Sequence, residues 1–289
     1  RDLVRSRGLG DVYKRQMNIL VNFADEKYKQ VRSINSWTGI HVAGMDLVKE
    51  YTPEDIDSSF KNDNVNIFKY KRGCGLWLWK PYFINKVINE NKDGDYIFYC
   101  DSGGFFIRNP KALYEYLTDE QPLFVCDIPL LESCFTKPEC FKIMGCDTDN
   151  IKSSNQIIST YFIVKVCSKS RIFVKEWLDY CCREELLSPM GLSKNQNPTN
   201  YMGANFVSHR EDQSIFSILC KKYGIQPHKD ISQRGCDPKS YKSPYYIYKE
   251  PMHNNDLYKS VIFLHKTQKL NFSWMARYIY KRLQRSVLG

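Results

Sequence analysis

The sequence predicts an α/β fold, since short apolar segments of strand-like composition alternate with helical segments along the chain of 289 residues. The segment 96–100 is rich in aromatic residues and is bounded on both sides by Asp and Gly, which is typical of a short buried strand. The segment 17–25 predicts a second buried strand. A strand there, with Ala24 and Asp25 at its carboxyl end, is a common opening of a nucleotide-binding α/β unit.

The remaining elements continue this alternation. Residues 27–37 predict a short helix or a loop, and residues 39–51 predict a strand or turn followed by a helix. Thr52, with Asp55 three positions on, is typical of a helix N-terminus, so we expect a helix through Phe60. Further strands are expected at 65–70, 123–128, 156–166 and 260–265, and further helices at 82–89, 107–117, 170–186 and 213–223.

The composition is typical of a soluble globular protein, with 43% hydrophobic and 26% charged residues. There is no run of 18 apolar residues, so we expect no transmembrane helix. The 11 cysteines are scattered without C-x-x-C spacing. This pattern favours free thiols in a reducing cytoplasm over a disulfide scaffold or a zinc module.

The net charge of +10 is concentrated at the two ends of the chain. Residues 1–16 are basic and show no periodicity, so we interpret them as a non-native leader; an Arg-rich targeting peptide is the alternative. The basic tail 266–289 contains no acid and predicts contact with the inner face of the plasma membrane, although a solvated terminal helix would have the same composition. The nearly neutral body, 17–265, is predicted to form one domain that does not bind nucleic acid.

One carboxylate stands directly after the strand 96–100. Asp101 is followed by Ser102, Gly103 and Gly104, and ligands of open α/β sheets bind outside the carboxyl ends of strands. A carboxylate beside open glycine backbone suits a hard cation that carries a phosphate. An ordinary Asp-Ser-Gly turn has the same sequence, so this segment alone leaves both interpretations open.

A second candidate segment precedes this strand. Arg72 and Lys80 flank two glycines and two tryptophans, and Trp77 and Trp79 at alternate positions offer a broad apolar wall. Fixed cations beside glycine suit a diphosphate. The alternative is that the tryptophans belong to the core and the cations to the surface.

Two further clusters lie late in the chain. The polar residues 209–213 stand at the start of an expected helix. They form either a ligand-facing cluster, since the free backbone N–H groups of a helix N-terminus favour anions and hydroxyls, or only a cap of the helix. His265 ends the last expected strand, and a histidine there is either a ligand or a satisfied hydrogen-bonding group.

Together these segments resemble nucleotide-sugar-dependent glycosyltransferases of the GT-A fold over most of residues 17–270. They are most similar to bacterial hexosyltransferases that build surface polysaccharides, with features like those of glycosyltransferase family eight. The resemblance implies a single GT-A (Rossmann-like) domain with a mixed, mostly parallel central sheet flanked by helices. It also implies transfer of a hexose from a UDP-sugar to a saccharide or lipid-linked saccharide acceptor. It rests on the order of the segments 72–82, 99–103, 209–213 and 264–266.

The resemblance implies roles for single residues. Asp101 takes the place of the first Asp of the metal-binding Asp-x-Asp motif, and His265 that of the late His that completes the metal and diphosphate site. Asp212 would hydrogen-bond the donor sugar, and Gln213 would lie near the anomeric carbon, where retaining members place a Gln. The donor would be bound by Phe23, Ala24 and Asp25 at the uracil and ribose, and by Arg72, Lys80, Asp101, Ser102 and Gly103 at the diphosphate and sugar.

The sequence departs from this family at one position. Gly103 stands where the second Asp of Asp-x-Asp is expected, and Asp95 cannot replace it because it lies roughly 20 Å away at about 3.3 Å per strand residue. Either Asp101 and His265 hold Mn²⁺ or Mg²⁺ together with donor phosphates and water, or metal use is weak. An imidazole ligand would favour Mn²⁺.

Other functions fit parts of the sequence. A sugar nucleotidyltransferase shares the α/β pattern but normally has a Gly- and Lys-rich loop after the first strand, where this chain has 23–26 without glycine. A non-catalytic sugar-nucleotide-binding relative is consistent with the missing second Asp. Asp127, Glu211 and Asp212 are all available as a general base, so the sequence leaves the stereochemistry open; Gln213 favours retention. The loops 188–205 and 226–256 are expected to carry specificity.

Overall fold

The computed structural model describes residues 16–189, 206–235, 253, 256–270 and 273. Nearly all of the leader, the greater part of both expected specificity loops and most of the basic tail therefore lie outside the described residues. None of the helices in the described part of the chain is long and apolar enough to cross a bilayer.

The described residues form a seven-stranded sheet and a separate two-stranded sheet. The strands are β1 (Asn18–Phe23), β2 (Leu47–Tyr51), β3 (Tyr96–Cys100), β4 (Gly104–Phe106), β5 (Leu123–Leu131), β6 (Asn155–Ile157), β7 (Tyr161–Lys165), β8 (Pro227–His228) and β9 (Ile262–Leu264). The large sheet has the order β2-β1-β3-β7-β5-β6, with β8 beside β5, and β4 pairs with β9.

The large sheet is mixed, and most of its strands run in one direction. β1 is parallel to β2 and β3, and β8 is parallel to β5. β7 is antiparallel to both β3 and β5, and β6 is antiparallel to β5. Only β6 and β7 therefore run against the other five described strands, which confirms the predicted α/β class with a mixed, mostly parallel sheet.

The helices cover both faces of this sheet. They are α1 (Lys29–His41), α2 (Ser58–Asp63), α3 (Val65–Phe68), α4 (Gly73–Leu76), α5 (Trp79–Glu90), α6 (Glu132–Phe135), α7 (Pro138–Ile143), α8 (Asp149–Lys152), α9 (Ser168–Cys181), α10 (Glu184–Leu187) and α11 (Glu211–Lys222), with 3₁₀ turns at Pro53–Asp55 and Lys111–Tyr116. Ile19 and Val21 of β1 pack into the core beneath α5, α9 and α11. Leu20, on the opposite face, packs with Phe98 and Phe106 on the side of α1.

Several sequence-based expectations were wrong in detail. The expected strand 65–70 is the short helix α3, whose Phe68 N–H donates to Asn64 at 3.1 Å and in which only Ile67 is buried. A strand with one buried side chain would gain little from joining a sheet. In 39–51 the expected order is reversed, since α1 runs to His41 and a strand follows.

Two other segments are divided more finely than the sequence predicts. The expected helix from Thr52 is a 3₁₀ turn closed by a capping box with Asp55, followed by the separate helix α2. The expected strand 156–166 is broken into β6 and β7, because the Thr160 carbonyl turns away to accept from the N–H of Asp101 at 2.8 Å. The expected helix 107–117 contains only a 3₁₀ turn.

Buried polar side chains tie the ends of β1 and β3 together. The amide nitrogen of Asn35, on α1, donates to the carbonyl of Gly104 at 2.8 Å and to that of Asp101 at 3.4 Å. The side-chain amide of Asn22 donates to the Asn35 oxygen at 2.9 Å. The Ser102 hydroxyl donates to the Phe23 carbonyl at 2.6 Å. The turn after β3 is therefore held against the carboxyl end of β1.

We expect Asn35→Leu to lower the free energy of unfolding by about 1–3 kcal/mol, because it leaves the buried Gly104 carbonyl without its side-chain donor. Urea denaturation of the wild type and the variant measures this difference. Ser33→Ala, at an exposed position of the same helix, is the matched control and should change it by less than about 0.5 kcal/mol. Equal effects of the two changes would contradict a role for Asn35 in holding the turn.

Candidate functional site

A cavity of about 770 Å³ opens at the carboxyl ends of β1 and β3. This is the place where the parallel part of an α/β sheet commonly binds ligands. Of the sequence-predicted residues, those on the cavity wall are Phe23, Ala24, Asp25, Arg72, Asp101, Ser102, Gly103 and His265. Lys80, Asp212 and Gln213 are not on the wall.

One wall of the cavity is aromatic. Phe23 stacks on Trp79 with ring centroids 3.7 Å apart and planes within 13°, and the Trp79 indole N–H donates to the Gly73 carbonyl at 2.8 Å. Trp77 is half-buried, with the Arg72 guanidinium 5.1 Å from its ring centroid. Gly73 has φ +60, and a Cβ there would lie 2.4 Å from the Trp77 ring, so glycine is required for this arrangement. The tryptophans are thus partly core and partly cavity wall.

Asp101 projects into the cavity from the end of β3. Its Oδ1 accepts a hydrogen bond from the Tyr99 hydroxyl, and the same oxygen lies 3.5 Å from the Lys80 ammonium. Burial and the Asp101 charge raise the pKa of Tyr99 well above its usual value, so this hydroxyl remains a donor. One oxygen of the carboxylate is therefore already engaged by the protein.

Lys80 does not reach the cavity, although the sequence had placed it at the diphosphate. Its side chain is only 3% exposed, and its ammonium lies 3.0 Å from Asp212 and 3.2 Å from the Ser159 carbonyl. Burial alone would lower the pKa of Lys80, but the carboxylates of Asp101 and Asp212 outweigh burial and raise it. Lys80 is a fixed internal cation that joins the ends of β3 and α11.

Asp212 and Gln213 lie beside the cavity wall. Both contact Ser159: its hydroxyl donates to Asp212 at 2.9 Å, and its N–H donates to the Gln213 side-chain oxygen at 3.4 Å. The neighbours of Ser159, Ile158 and Thr160, line the cavity. Asp212 and Gln213, the pair expected to be catalytic, are therefore hydrogen-bonded to a residue whose two neighbours line the cavity. That residue lies in the segment 156–166, which the sequence predicted to be one unbroken strand.

Two other candidate general bases, Glu211 and Asp127, are each paired with a basic side chain. Glu211 is buried with φ +41, and its carboxylate accepts from the Arg72 side chain at 2.7 Å. Burial raises the pKa of Glu211 in spite of Arg72. Asp127 accepts from the Asn155 amide at 2.9 Å and contacts His253 Nε2 at 2.6 Å. Neither carboxylate lines the cavity.

The described residues fit a divalent cation poorly. Asp101 and His265 share the cavity wall, but no cluster of three His, Cys, Asp or Glu side chains suited to a metal is found within the described ranges. A Cβ on Gly103 would lie 2.9 Å from the His265 carbonyl oxygen, so backbone fills the space of the missing second carboxylate. The His265 imidazole Nδ1 lies 3.2 Å from Thr267 oxygens, and burial lowers the pKa of His265.

The cavity wall is rich in cations, of which only Arg72 was selected from the sequence as a site residue. Among the described residues, its cationic side chains are Lys27, Lys71, Arg72, Arg234 and Lys266, whereas its carboxylates are Asp25 and Asp101. Lys27 and Lys71 adjoin residues that the sequence analysis did select, so proximity was a usable signal. Lys266 directly follows His265, so the same signal applied to it, whereas Arg234 comes to the cavity from a distant segment and carried no local signal. This excess of cations suits an anionic ligand.

No family model matches this sequence, and the comparison with curated proteins finds no match either. Among solved structures, the galactosyltransferase LgtC in complex with donor and acceptor sugar analogues is 10% identical, with a TM-score of 0.47 and 86% of each chain covered. Mouse xyloside xylosyltransferase 1, in its apo form, is 8% identical, with a TM-score of 0.46, over 89% of this chain and 100% of that one. The apo glycosyltransferase GlyE of Streptococcus pneumoniae is 12% identical, with a TM-score of 0.44, over 88% and 55%. Likeness at this level does not assign a family or an activity.

Lys80→Met is expected to lower the free energy of unfolding by about 3–5 kcal/mol, because it leaves two carboxylates without their shared counter-charge. Adding Asp212→Asn removes one of these charges and should recover at least about 1 kcal/mol of the lost free energy of unfolding. Urea denaturation of the wild type, both single variants and the double variant measures this coupling. Lys86→Met, half-buried on the same helix, is the control. Strictly additive effects of Lys80→Met and Asp212→Asn would show that the pair is not coupled.

The contact between His253 and Asp127 predicts that stability depends on pH. The hydrogen bond with Asp127 raises the pKa of His253 above its usual value, and this effect outweighs that of burial, which lowers the pKa. The resulting stabilisation is complete below about pH 6.5 and is lost as the pH rises through the folded-state pKa. The stability difference between wild type and His253→Gln should therefore be larger at pH 6 than at pH 9 in urea titrations. A difference that does not change with pH would contradict the assignment.

Proposed function

We propose that the chain is a glycosyltransferase that transfers a hexose from a UDP-sugar to a saccharide or lipid-linked saccharide acceptor in polysaccharide or lipopolysaccharide synthesis. One observation carries the proposal: the cavity at the ends of β1 and β3 combines an aromatic wall, an excess of cations and the Asp101-Ser102-Gly103 turn. These features suit a nucleoside diphosphate attached to a sugar.

The nucleoside is proposed to bind at the end of β1. Phe23 and Ala24 form an apolar floor, and Asp25 follows them on the rim of the cavity. The Asp25 Oδ1 accepts from the backbone N–H groups of Lys27 and Tyr28, at 3.1 and 3.2 Å, which fixes the carboxylate in place. A fixed carboxylate beside an apolar floor suits a ribose hydroxyl next to a flat base.

The diphosphate is proposed to lie between the turn after β3 and the segment around Arg72. In the reaction the bond from the anomeric carbon to the diphosphate oxygen breaks, and a bond to the acceptor oxygen forms. Negative charge grows on the departing diphosphate, so cations already in place stabilise the transition state more than the ground state. Arg72 suits this role because its side chain is 62% exposed while Glu211 holds it in position.

The donor sugar is proposed to face the wall that Asp212 and Gln213 support. Both side chains are tied to Ser159, whose neighbours line the cavity, and Gln213 also donates to Gln156 at 2.8 Å. A positioned carboxylate or amide oxygen can stabilise an oxocarbenium-like anomeric carbon. In this proposal Gln213 favours retention of configuration.

The alternatives differ at identifiable features. A sugar nucleotidyltransferase would need a glycine-rich phosphate loop after β1, and residues 24–28 of this chain contain no glycine. A binding protein without turnover would use the same cavity and would bind a nucleotide sugar without cleaving it. Turnover therefore decides between the enzyme and this relative.

We expect the wild type to release UDP from one member of a panel of UDP- and GDP-sugars, by slow hydrolysis or by transfer to added saccharides. Arg72→Ala should reduce this rate roughly 100-fold, because it removes a fixed positive charge that stabilises the departing diphosphate. Lys29→Ala, an exposed lysine that does not line the cavity, is the matched control. Binding of a nucleotide sugar without any release, with or without acceptors, would replace the enzyme with the non-catalytic relative.

A further inference from the structure

We infer that this site binds the diphosphate of its donor without a divalent cation, with the chain's own lysine and arginine side chains as the counter-charge. The inference rests on the proposed function and specifies how the same cavity works. It departs from the sequence-based expectation that Asp101 and His265 hold Mn²⁺ or Mg²⁺. Four observations of this structure support it.

The first is steric. β4 and β9 run side by side, and the N–H of His265 donates to the Gly103 carbonyl at 2.8 Å. Gly103 consequently has the His265 backbone against the face where a side chain would project, with only 2.9 Å between a Cβ and the carbonyl oxygen. A carboxylate cannot be placed at Gly103 without moving the backbone at His265, directly after β9. The second ligand of the Asp-x-Asp pattern is therefore blocked by the fold itself.

The second is electrostatic. The carboxylate of Asp101 already faces the ammonium of Lys80, which is buried and held on its other side by Asp212. Lys80 cannot swing away, since its ammonium is also bound to the carbonyl and hydroxyl of Ser159. A dication on Asp101 would have to share the carboxylate with this fixed ammonium and would be repelled by it, which weakens the site for an ion.

The third is the number of ligands. Mg²⁺ is usually bound through carboxylates whose charge is available to the ion, together with substrate phosphates. Here one carboxylate is shared with an ammonium, and His265, whose Nδ1 faces the oxygens of Thr267, leaves only Nε2, which is buried, as a possible ligand atom. Across the described ranges, no third acidic, thiol or imidazole group joins them in a cluster.

The fourth is the supply of cations. Lys71 and Lys266 line the cavity from different segments and are exposed, and neither has an ion-pair partner among the described residues. A lysine ammonium on its flexible stem can fold onto a phosphate as a point charge. Arg72 adds a guanidinium oriented by Glu211. These side chains can supply the positive charge that a metal ion would otherwise bring.

The test is UDP binding by titration calorimetry, in EDTA and again with MnCl₂ or MgCl₂. We expect the dissociation constants in the two conditions to agree within about threefold, and Lys71→Ala combined with Lys266→Ala to weaken binding by about tenfold or more. The matched control combines Lys69→Ala with Lys269→Ala, two exposed lysines near the same segments that do not line the cavity. The control should change binding by less than about twofold.

Each outcome decides a different question. Binding that requires Mn²⁺ or Mg²⁺ and ignores the Lys71/Lys266 change overturns the inference and leaves the nucleotide site intact. Binding in EDTA that is weakened by the cavity lysines but not by the controls supports it. No binding of UDP or any other nucleoside diphosphate in either condition overturns the proposed function itself. UDP release by the wild type in EDTA is the second readout, and its loss on chelation alone also overturns the inference.

Discussion

The buried ammonium of Lys80, between the carboxylates of Asp101 and Asp212, fixes the geometry on which the site depends. An ammonium removed from water is stable only with close, hydrogen-bonded counter-charges, so α5, β3 and α11 must keep their relative positions. The same contact fixes the chemistry, because it partly neutralises the single carboxylate that ends β3. The cavity wall thus combines a partly neutralised Asp101 with the exposed cations of Lys71, Arg72 and Lys266, a surface suited to a diphosphate.

The rest of the site is built by strand ends that meet at one edge of the sheet. β1 and β3 are parallel neighbours, so Phe23 and Asp101 emerge side by side, and Ser102 and Asn35 bind the two ends together. The pairing of β4 with β9 brings His265 over Gly103. That close approach explains why the turn contains glycine, and it removes the position of a second carboxylate.

The sequence was sufficient where structure depends on local pattern. The strands around β1 and β3 and the helix near 213–223 follow from composition and periodicity, and the strand-end location of Asp101 follows from those strands. The sequence was not sufficient where residues far apart in the chain determine the environment of a side chain. Asp101 and Asp212, the partners of Lys80, lie 21 and 132 positions away, so nothing in the sequence indicated that Lys80 is buried in an ion pair. α3 was mistaken for a strand because a short apolar run carries no reliable period.

In the proposed complex, positive charge from the chain, and not from a metal ion, faces the diphosphate. A crystal structure with UDP and MnCl₂, with diffraction data collected at the manganese absorption edge, would show which of the two supplies that charge. We expect a diphosphate in contact with Lys71, Arg72 or Lys266 and no anomalous peak at Asp101. A strong anomalous peak that bridges Asp101, His265 and the diphosphate would contradict it.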